Sequence, residues 1–398
     1  MSPINAFTVA ALPRIVFGAG VFATVPDEVA ALGRKVLIVT GAGSIRATPH
    51  WSLLLECLAG RGVGVETLAV RGEPSPALVD QAVAEFKDRG IEVVLAVGGG
   101  SAMDAAKAIA GLLRPGNSVM DHLEGVGRGI PYSGPATPFI AVPTTAGTGS
   151  EATKNAVLST RGPEGYKKSF RHDLLIARVA VVDPELLISC PKPVLAPNGM
   201  DAFTQLLESL TSTRASAFTD ALGWSGLEAF RDGFFDAYEG QGESAALGRS
   251  RLAYASLLSG INLAQTGLGV VHGLASPLGA FFPIPHGVVC GTLLAEATAI
   301  NIQALRGRDA ENPALGKYAH AGSLLARRYI AERDEALEAL VDILREWTLH
   351  LNLPLLSTFG MSKADIPKVV AASGGNSMKT NPLVLTEAEV TEILLRRL

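Results

Sequence analysis

An α/β half followed by an all-α half is the architecture this sequence predicts. As far as about residue 183, short β-branched runs alternate with longer segments whose apolar residues recur every three or four positions, the pattern of a parallel sheet covered by helices. After Pro191 the strand-like runs stop and long helical patterns take over. The proline-rich stretch 189–199, ending in Gly199, lies where the pattern changes. A chain of 398 residues exceeds one comfortable core. Two domains are therefore expected, 1–190 and 191–398, with a cleft between them.

The expected strands, in order, are KVLIVT (35–40), VETLAV (65–70), VVLAVG (93–98), PFIAVP (138–143) and RVAVVD (178–183). ALVDQAVAEFKDRG and SAMDAAKAIAGLL carry the spacing of crossover helices. In the second half GMDAFTQLLESL, ALGWSGLEAFRDGFFDAY, SRLAYASLLSGINLAQ and EALEALVDILREWTLHL read as helices.

Composition narrows the function. Net charge is −4 with no basic block, and aromatic content is 6%, so electrostatic capture of nucleic acid or an anionic membrane is not expected. The N-terminal stretch lacks a basic segment followed by a long apolar core, and no membrane-spanning run of about 18–20 apolar residues is expected. The expectation is a cytoplasmic protein acting on a small molecule. Cys57, Cys190 and Cys290 are odd in number and widely spaced, without a CxxC pair. They are expected to be buried, inert thiols rather than a thiolate metal site.

Val97 leads into Gly98-Gly99-Gly100-Ser101, and a helical pattern begins at once. Glycines at such a turn let backbone N–H groups approach a pyrophosphate while the helix N-terminus adds partial positive charge. Alone, three glycines are equally a tight turn. A second polar, glycine-rich stretch follows the next strand, with Thr144, Thr145 and Thr148 supplying hydroxyls. Loops at the carboxyl ends of neighbouring parallel strands converge on one crevice, the usual dinucleotide position. The first strand ends in Thr40-Gly41-Ala42-Gly43-Ser44-Ile45-Arg46, with no acidic residue to accept ribose hydrogen bonds and repel a 2′-phosphate. Gly41, Ser44 and Arg46 permit that phosphate, which leans the expectation toward NADP(H); a solvated Arg46 is the alternative.

Asp201 and Gln205 lie four apart on a helical pattern, so both could reach a common ion. His272 and His286 flank a Gly/Pro-rich connector that would let two helix-borne imidazoles converge. One carboxylate and two imidazoles suit Fe(II) or Zn(II) with positions left open. Spacing alone also allows a capping Asp and satisfied core histidines.

Taken in order, VLIVT, GGGSAMDAAK, PTTAGTGSE, VAVVDPEL, GMDAFTQLLE and VHGLASPLGAFFPIPHG resemble the iron-containing, group III alcohol dehydrogenases across essentially the whole chain. The resemblance implies a Rossmann-like N-terminal domain, an all-helical C-terminal domain and the wider architecture shared with dehydroquinate synthase. It also implies an NAD(P)(H) cofactor in the cleft and a divalent metal, Fe(II) or Zn(II), at the cleft floor. Gly98, Gly99, Gly100 and Ser101 match the pyrophosphate loop, and Thr144, Thr145 and Thr148 the second cofactor loop. Asp104 matches an acidic residue near the nicotinamide, Lys167 a lysine preceding the VDPEL segment, and Asp201, His272 and His286 three metal ligands.

Two positions depart from the family pattern. Gln205 stands where a fourth, histidine ligand is typical; a glutamine carbonyl is the weaker donor toward these ions. Ser276 stands where the family places a second histidine of the proton route. The implied activity is that of an NAD(P)-dependent alcohol dehydrogenase or aldehyde reductase acting on a small primary alcohol or aldehyde, with proton delivery open among solvent, Ser276 and a cofactor ribose relay. Alternatives are a metal-free carbonyl reductase on the same fold, prompted by Gln205, and a dehydroquinate synthase-like lyase. Arg171 and His172, if they faced the cleft, would favour an anionic substrate. The resemblance also implies a homodimer or higher oligomer, with the segment FTVAALPRIVFG offering an edge strand for pairing.

Overall fold

A computed structural model describes residues 4–398. The strands are β1 (Arg14–Phe17), β2 (Lys35–Gly41), β3 (Gly64–Val70), β4 (Val93–Gly98), β5 (Phe139–Pro143), β6 (Asn155–Thr160), β7 (Tyr166–Arg171) and β8 (Val179–Val182). Helices α1 (Val25–Leu32), α2 (Pro49–Gly60), α3 (Pro76–Phe86) and α4 (Gly100–Leu112) are threaded among them. The rest of the chain is helical: α5 (Lys192–Thr211), α6 (Ala217–Glu239), α7 (Gly242–Thr266), α8 (Val270–Phe281), α9 (His286–Arg308), α10 (Pro313–Leu325), α11 (Arg333–His350), α12 (Ile366–Ala372) and α13 (Glu387–Leu395).

Six strands form one all-parallel sheet in the order β1-β8-β5-β4-β2-β3. All five expected strands are present. The central ones are the most continuously apolar because both faces are covered: Val36, Leu37, Ile38 and Val39 of β2 and Val93 to Val97 of β4 are fully buried. From β2 the chain crosses outward to β3 and then returns to the other side of β2 as β4, so the winding direction reverses between β2 and β4. The carboxyl ends at that reversal are Gly41 and Gly98, the position where open α/β sheets bind ligands. The N-terminal apolar segment supplies β1, an edge strand paired with β8.

Three features differ from expectation. Residues 155–171 form an antiparallel hairpin, β6 with β7, whose register sets Ser159 opposite Lys167. Its alternation is masked by the polar run Tyr166-Lys167-Lys168-Ser169. The proline-rich stretch 191–199 is not a linker but the first two turns of α5. Pro193 sits in the first turn, where no N–H is needed, while Pro197 is tolerated inside the helix. Gly199 is required by packing, since a Cβ there would lie 2.2 Å from the Phe234 ring. Finally, α9 is a helix long and apolar enough to span a bilayer by length and composition, contrary to the expectation that none is; 83% of its apolar stretch is buried inside the protein, which makes it a core helix.

Candidate metal centre and nucleotide crevice

The crevice is built from backbone proximity. At Gly98 a Cβ would meet Ala102 Cβ at 2.7 Å and the Gly41 nitrogen at 3.1 Å, so only glycine lets β4, α4 and the tip of β2 come this close. Gly99 and Gly100 lie against the second loop, their Cβ positions facing Thr145 Oγ1 at 3.1 Å and Thr148 Oγ1 at 3.0 Å. Thr144 N–H donates to the Gly98 carbonyl at 3.0 Å. The two loops expected to bind one ligand thus touch each other, and Thr145, Thr148 and Ser101 are half-exposed. Gly41 and Ser44 stand at the open tip of β2, with nothing within 4 Å of a Gly41 Cβ. Arg46 is not a freely solvated arginine: Nε donates to Thr40 Oγ1 at 2.9 Å and the guanidinium lies over Trp51 at 5.2 Å. Its Nη2 is buried without a partner.

A lysine that sequence reasoning missed holds this region together. Lys107, fully buried on α4, donates to Ser150 O, Ser150 Oγ, Thr153 Oγ1 and Asn155 O at 2.8–3.0 Å. Burial drags its ammonium down to about 8, with Asp104 and Glu151 pulling back. Asp104 accepts from Ser150 Oγ at 2.7 Å, and burial lifts its carboxyl above the ordinary value despite Lys107. The signal for Lys107 is its place three residues after Asp104, one helical turn on, in an otherwise apolar helix.

The second loop also meets the helical domain. A Cβ on Gly147 would lie 2.9 Å from Asn198 Cβ on α5, and Gly149, at φ +58°, rests on Gly260 of α7. Asp201 follows three residues after Asn198, fully buried. His272, in the first turn of α8, and His286, first residue of α9, come from the other side. His272 Nε2 is 3.1 Å and His286 Nε2 3.7 Å from Asp201 Oδ1. Both imidazoles are helix-borne, as expected, and the Gly/Pro-rich stretch between them is itself largely helical. Most of it is α8, whose Leu274, Ala275 and Leu278 are buried, so a tertiary apolar face overrides Pro277.

Glu208, a further residue sequence reasoning missed, orients this group. Asp201, Gln205 and Glu208 recur at one- and two-turn spacing on α5. Glu208 Oε1 accepts from the Val271 N–H, an unpaired donor of the first turn of α8, and Oε2 takes the Nδ1–H of His272 at 2.7 Å. That bond fixes the tautomer, leaving the Nε2 lone pair facing the Asp201 carboxylate. Two acceptors 3.1 Å apart are reconciled only by a cation between them, a proton or a metal ion. Without metal the proton answers: burial lowers His272, but Cys290 and the bonds to Asp201 and Glu208 together outweigh it and raise the imidazole well above its ordinary value. Burial pushes the Asp201 carboxyl up, but His286 and His272 hold it well below the carboxylate range. His286 falls to about 4 through burial and the neighbouring Lys167 ammonium.

Two buried polar atoms of the group, Asp201 Oδ2 and His286 Nδ1, have no hydrogen-bond partner, and neither has Gln205 Oε1 one turn along α5 from Asp201. Unpaired buried carboxylate oxygen beside convergent imidazoles is what a divalent cation would satisfy. Asp201, His272 and His286 are joined by Cys290, all four offering ligand atoms within 4.8 Å of one another. The expectation of three buried, inert thiols is corrected: Cys57 and Cys190 are half-buried, and Cys290 lines the centre.

Of the remaining candidates, Lys167 projects from β7 and pairs with Glu73 Oε1 at 2.7 Å, while Glu73 Oε2 accepts from the Ser159 hydroxyl. Burial raises the Glu73 carboxyl, but Lys167 outweighs it and the net shift is downward. Ser276 Oγ donates to the Lys167 carbonyl at 2.9 Å, joining α8 to β7. Arg171 and His172 do not join the site. Arg171 is exposed and paired with Glu124 at 3.5 Å, while His172 Nδ1 accepts from the Leu174 N–H and its ring packs on Tyr132. These two residues therefore give no reason to favour an anionic substrate.

A parallel sheet with a glycine-lined crevice at its switch point, joined to a helical half carrying a convergent Asp, two His and a Cys, defines the class of fold and site to which the chain belongs. Similarity to known proteins refines this. The family model described as "Iron-containing alcohol dehydrogenase" matches residues 13–184, and "Fe-containing alcohol dehydrogenase family, C-terminal" matches 195–398. Alcohol dehydrogenase 4 of Saccharomyces cerevisiae (strain YJM789) is 30% identical over 399 residues, covering 99% of this chain and 98% of its own. A solved 1,3-propanediol oxidoreductase superposes with a TM-score of 0.88 at 26% identity, covering 99% of this chain and 100% of its own. The sulfoacetaldehyde reductase of Bifidobacterium kashiwanohense, solved in complex with NAD+, has a TM-score of 0.83 at 25% identity and covers 99% of both chains. The chain belongs to the iron-containing alcohol dehydrogenase family and is an oxidoreductase acting on CH–OH groups.

Proposed function

We propose that the protein interconverts a small primary alcohol and its aldehyde with a nicotinamide cofactor, preferring NADP(H), and that one divalent ion, Fe(II) or Zn(II), sits between Asp201, His272 and His286. The observation that carries this reading is the convergence on Asp201 of two imidazoles, His272 with Nε2 at 3.1 Å and Nδ1 held by Glu208 at 2.7 Å, and His286 with Nε2 at 3.7 Å. When bound, the metal supplies positive charge at the substrate oxygen, and the cofactor supplies or takes the hydride.

The chain's own residues do the rest. The two threonine- and glycine-bearing loops cradle the pyrophosphate at the N-terminus of α4, and Lys107 keeps the second loop seated. Lys167, held by Glu73 and by the α8 brace through Ser276, places an ammonium beside His286 where the substrate enters. Since the Ser276 hydroxyl proton is committed to a backbone carbonyl, Ser276 acts here as a brace. The NADP(H) preference rests on the absence of an acidic residue at the tip of β2 and on Arg46, whose buried Nη2 lacks a partner.

Elemental analysis of purified protein, with His272→Ala beside it, tests the metal assignment. The expected outcome is one equivalent of metal and turnover in the parent, both lost in the variant; undiminished turnover in metal-free parent protein would establish the metal-free reductase instead. Steady-state assays with both cofactors test the preference: Arg46→Ala should raise KM for NADPH by about 10-fold, one lost charge-assisted contact, and leave NADH unaffected.

A further inference from the structure

The proposed metal site leaves the fourth ligand open, and two residues compete for it. Gln205 lies one turn from Asp201 on α5, buried, with Oε1 unpartnered. Cys290 lies one turn after His286 on α9, fully buried, with Sγ 3.6 Å from His272 Nε2 and 3.8 Å from His286 Nε2. Resting on that metal site, we propose that Cys290 Sγ is the fourth metal ligand and that the set Asp201, His272, His286 and Cys290 selects Zn(II) over Fe(II).

The separations fit a tetrahedral protein set, to which the substrate oxygen would add as a fifth ligand. With metal bonds of about 2.0–2.1 Å to nitrogen and oxygen and about 2.3 Å to sulfur, tetrahedral angles put nitrogen about 3.6 Å from sulfur and about 3.4 Å from oxygen. The two sulfur–nitrogen distances, 3.6 and 3.8 Å, and the two nitrogen–oxygen distances, 3.1 and 3.7 Å, fall around these values. All four ligand atoms lie within 4.8 Å of one another. Position and chemistry agree. His286 and Cys290 are i and i+4 on one helix, so their side chains share a face, as Asp201 and Gln205 do on α5. Thiolate is a softer donor than an amide carbonyl, and a mixed sulfur–nitrogen set with one carboxylate favours zinc over iron among available divalent ions. Binding balances by release of the thiol proton to solvent as the sulfur–metal bond forms, with no change of oxidation state.

Cobalt substitution separates the outcomes. The full-length protein, stripped and reloaded with Co(II), should show an intense near-ultraviolet sulfur-to-cobalt charge-transfer band together with tetrahedral visible bands. Cys290→Ala should lose the ultraviolet band while retaining the native circular dichroism spectrum, and Gln205→Ala should keep it. Zinc X-ray absorption should show one sulfur at about 2.3 Å, and Cys290→Ala should lower zinc affinity by about 100-fold or more. Cobalt bound without a sulfur band overturns the Cys290 assignment and leaves the metal site standing. Failure of the parent protein to bind Co(II) or Zn(II) overturns both. A sulfur signal in protein that holds iron in preference to zinc at equal supply overturns the selectivity.

Discussion

Gly260→Ala should loosen the cofactor loop from the helical domain. Gly260 sits in α7 against Gly149, whose φ of +58° is itself the left-handed conformation glycine adopts without strain. An added Cβ would lie 2.1 Å from the Gly149 carbonyl oxygen and 2.7 Å from its Cα. Ordinary carbon–oxygen contacts are about 3.3–3.6 Å, so loop and helix must separate by more than about 1 Å, roughly a 1–3 kcal/mol strain for a close-packed contact. Alanine's better helix propensity offsets about 0.8–1 kcal/mol of this. Gly316→Ala isolates that offset, because Gly316 is an exposed residue of α10 with nothing within 4 Å of its Cβ position. Calorimetry should place Gly316→Ala at or above the parent Tm and Gly260→Ala below it. Because Thr145 and Thr148 ride on the displaced loop, KM for the nicotinamide cofactor should also rise in Gly260→Ala, by about 10-fold for each 1.4 kcal/mol of strain relieved by moving the loop. A Gly260→Ala protein with parental Tm and parental cofactor KM would refute the contact as the hinge between loop and helix.

Lys107→Met keeps the length of the side chain but removes four contacts of Nζ and the counter-charge of buried Asp104, and should destabilise the protein by about 3–5 kcal/mol in urea unfolding; a variant more stable than the parent would show that the buried ammonium is a net burden. Burial pushes the Glu151 carboxyl up to about 7, above its ordinary 4.5, so the folded state holds this proton more tightly than the unfolded one. Its contribution is therefore fully present below pH 4.5 and lost as pH rises from 4.5 through 7, at most about 3.4 kcal/mol. Glu151→Gln should flatten the fall in Tm across that window; an unchanged pH profile would place the titration elsewhere.

The fold is legible because burial on both faces of a parallel sheet leaves an unmistakable record: β2, β4 and β5 are near-continuous apolar runs punctuated by glycine. The hairpin β6–β7 is not, since Tyr166, Lys167, Lys168 and Ser169 are all polar and half-buried, with Lys167 paired to Glu73, so no apolar alternation marks the strand. The prolines mislead in the other direction. Pro193, Pro197 and Pro277 read as linker residues, yet the buried faces of α5 and α8 supply more packing than one lost backbone bond costs.

Within the site, Asp201, His272 and His286 are legible as residue types with ligand chemistry, whereas Glu208 and Cys290 are not, for different reasons. Glu208 acts on the metal group only through the imidazole it orients, and one-turn spacing from Gln205 looks like any surface carboxylate until the N-terminus of α8 is seen resting on it. Cys290 looks inert when measured by its distance from other cysteines, a rule suited to thiolate-only sites. Helical spacing is the better guide, as it is for Asp201 and Gln205: a donor four residues after His286 shares its face. Two i, i+4 pairs, Asp201 with Gln205 on α5 and His286 with Cys290 on α9, thus bear on the centre, where His272 Nε2 lies 3.1 Å from Asp201 and 3.6 Å from Cys290. Each pair holds one member of the proposed ligand trio and one candidate for the fourth place, so the metal that the proposed site would take turns on whether sulfur or amide oxygen completes the set.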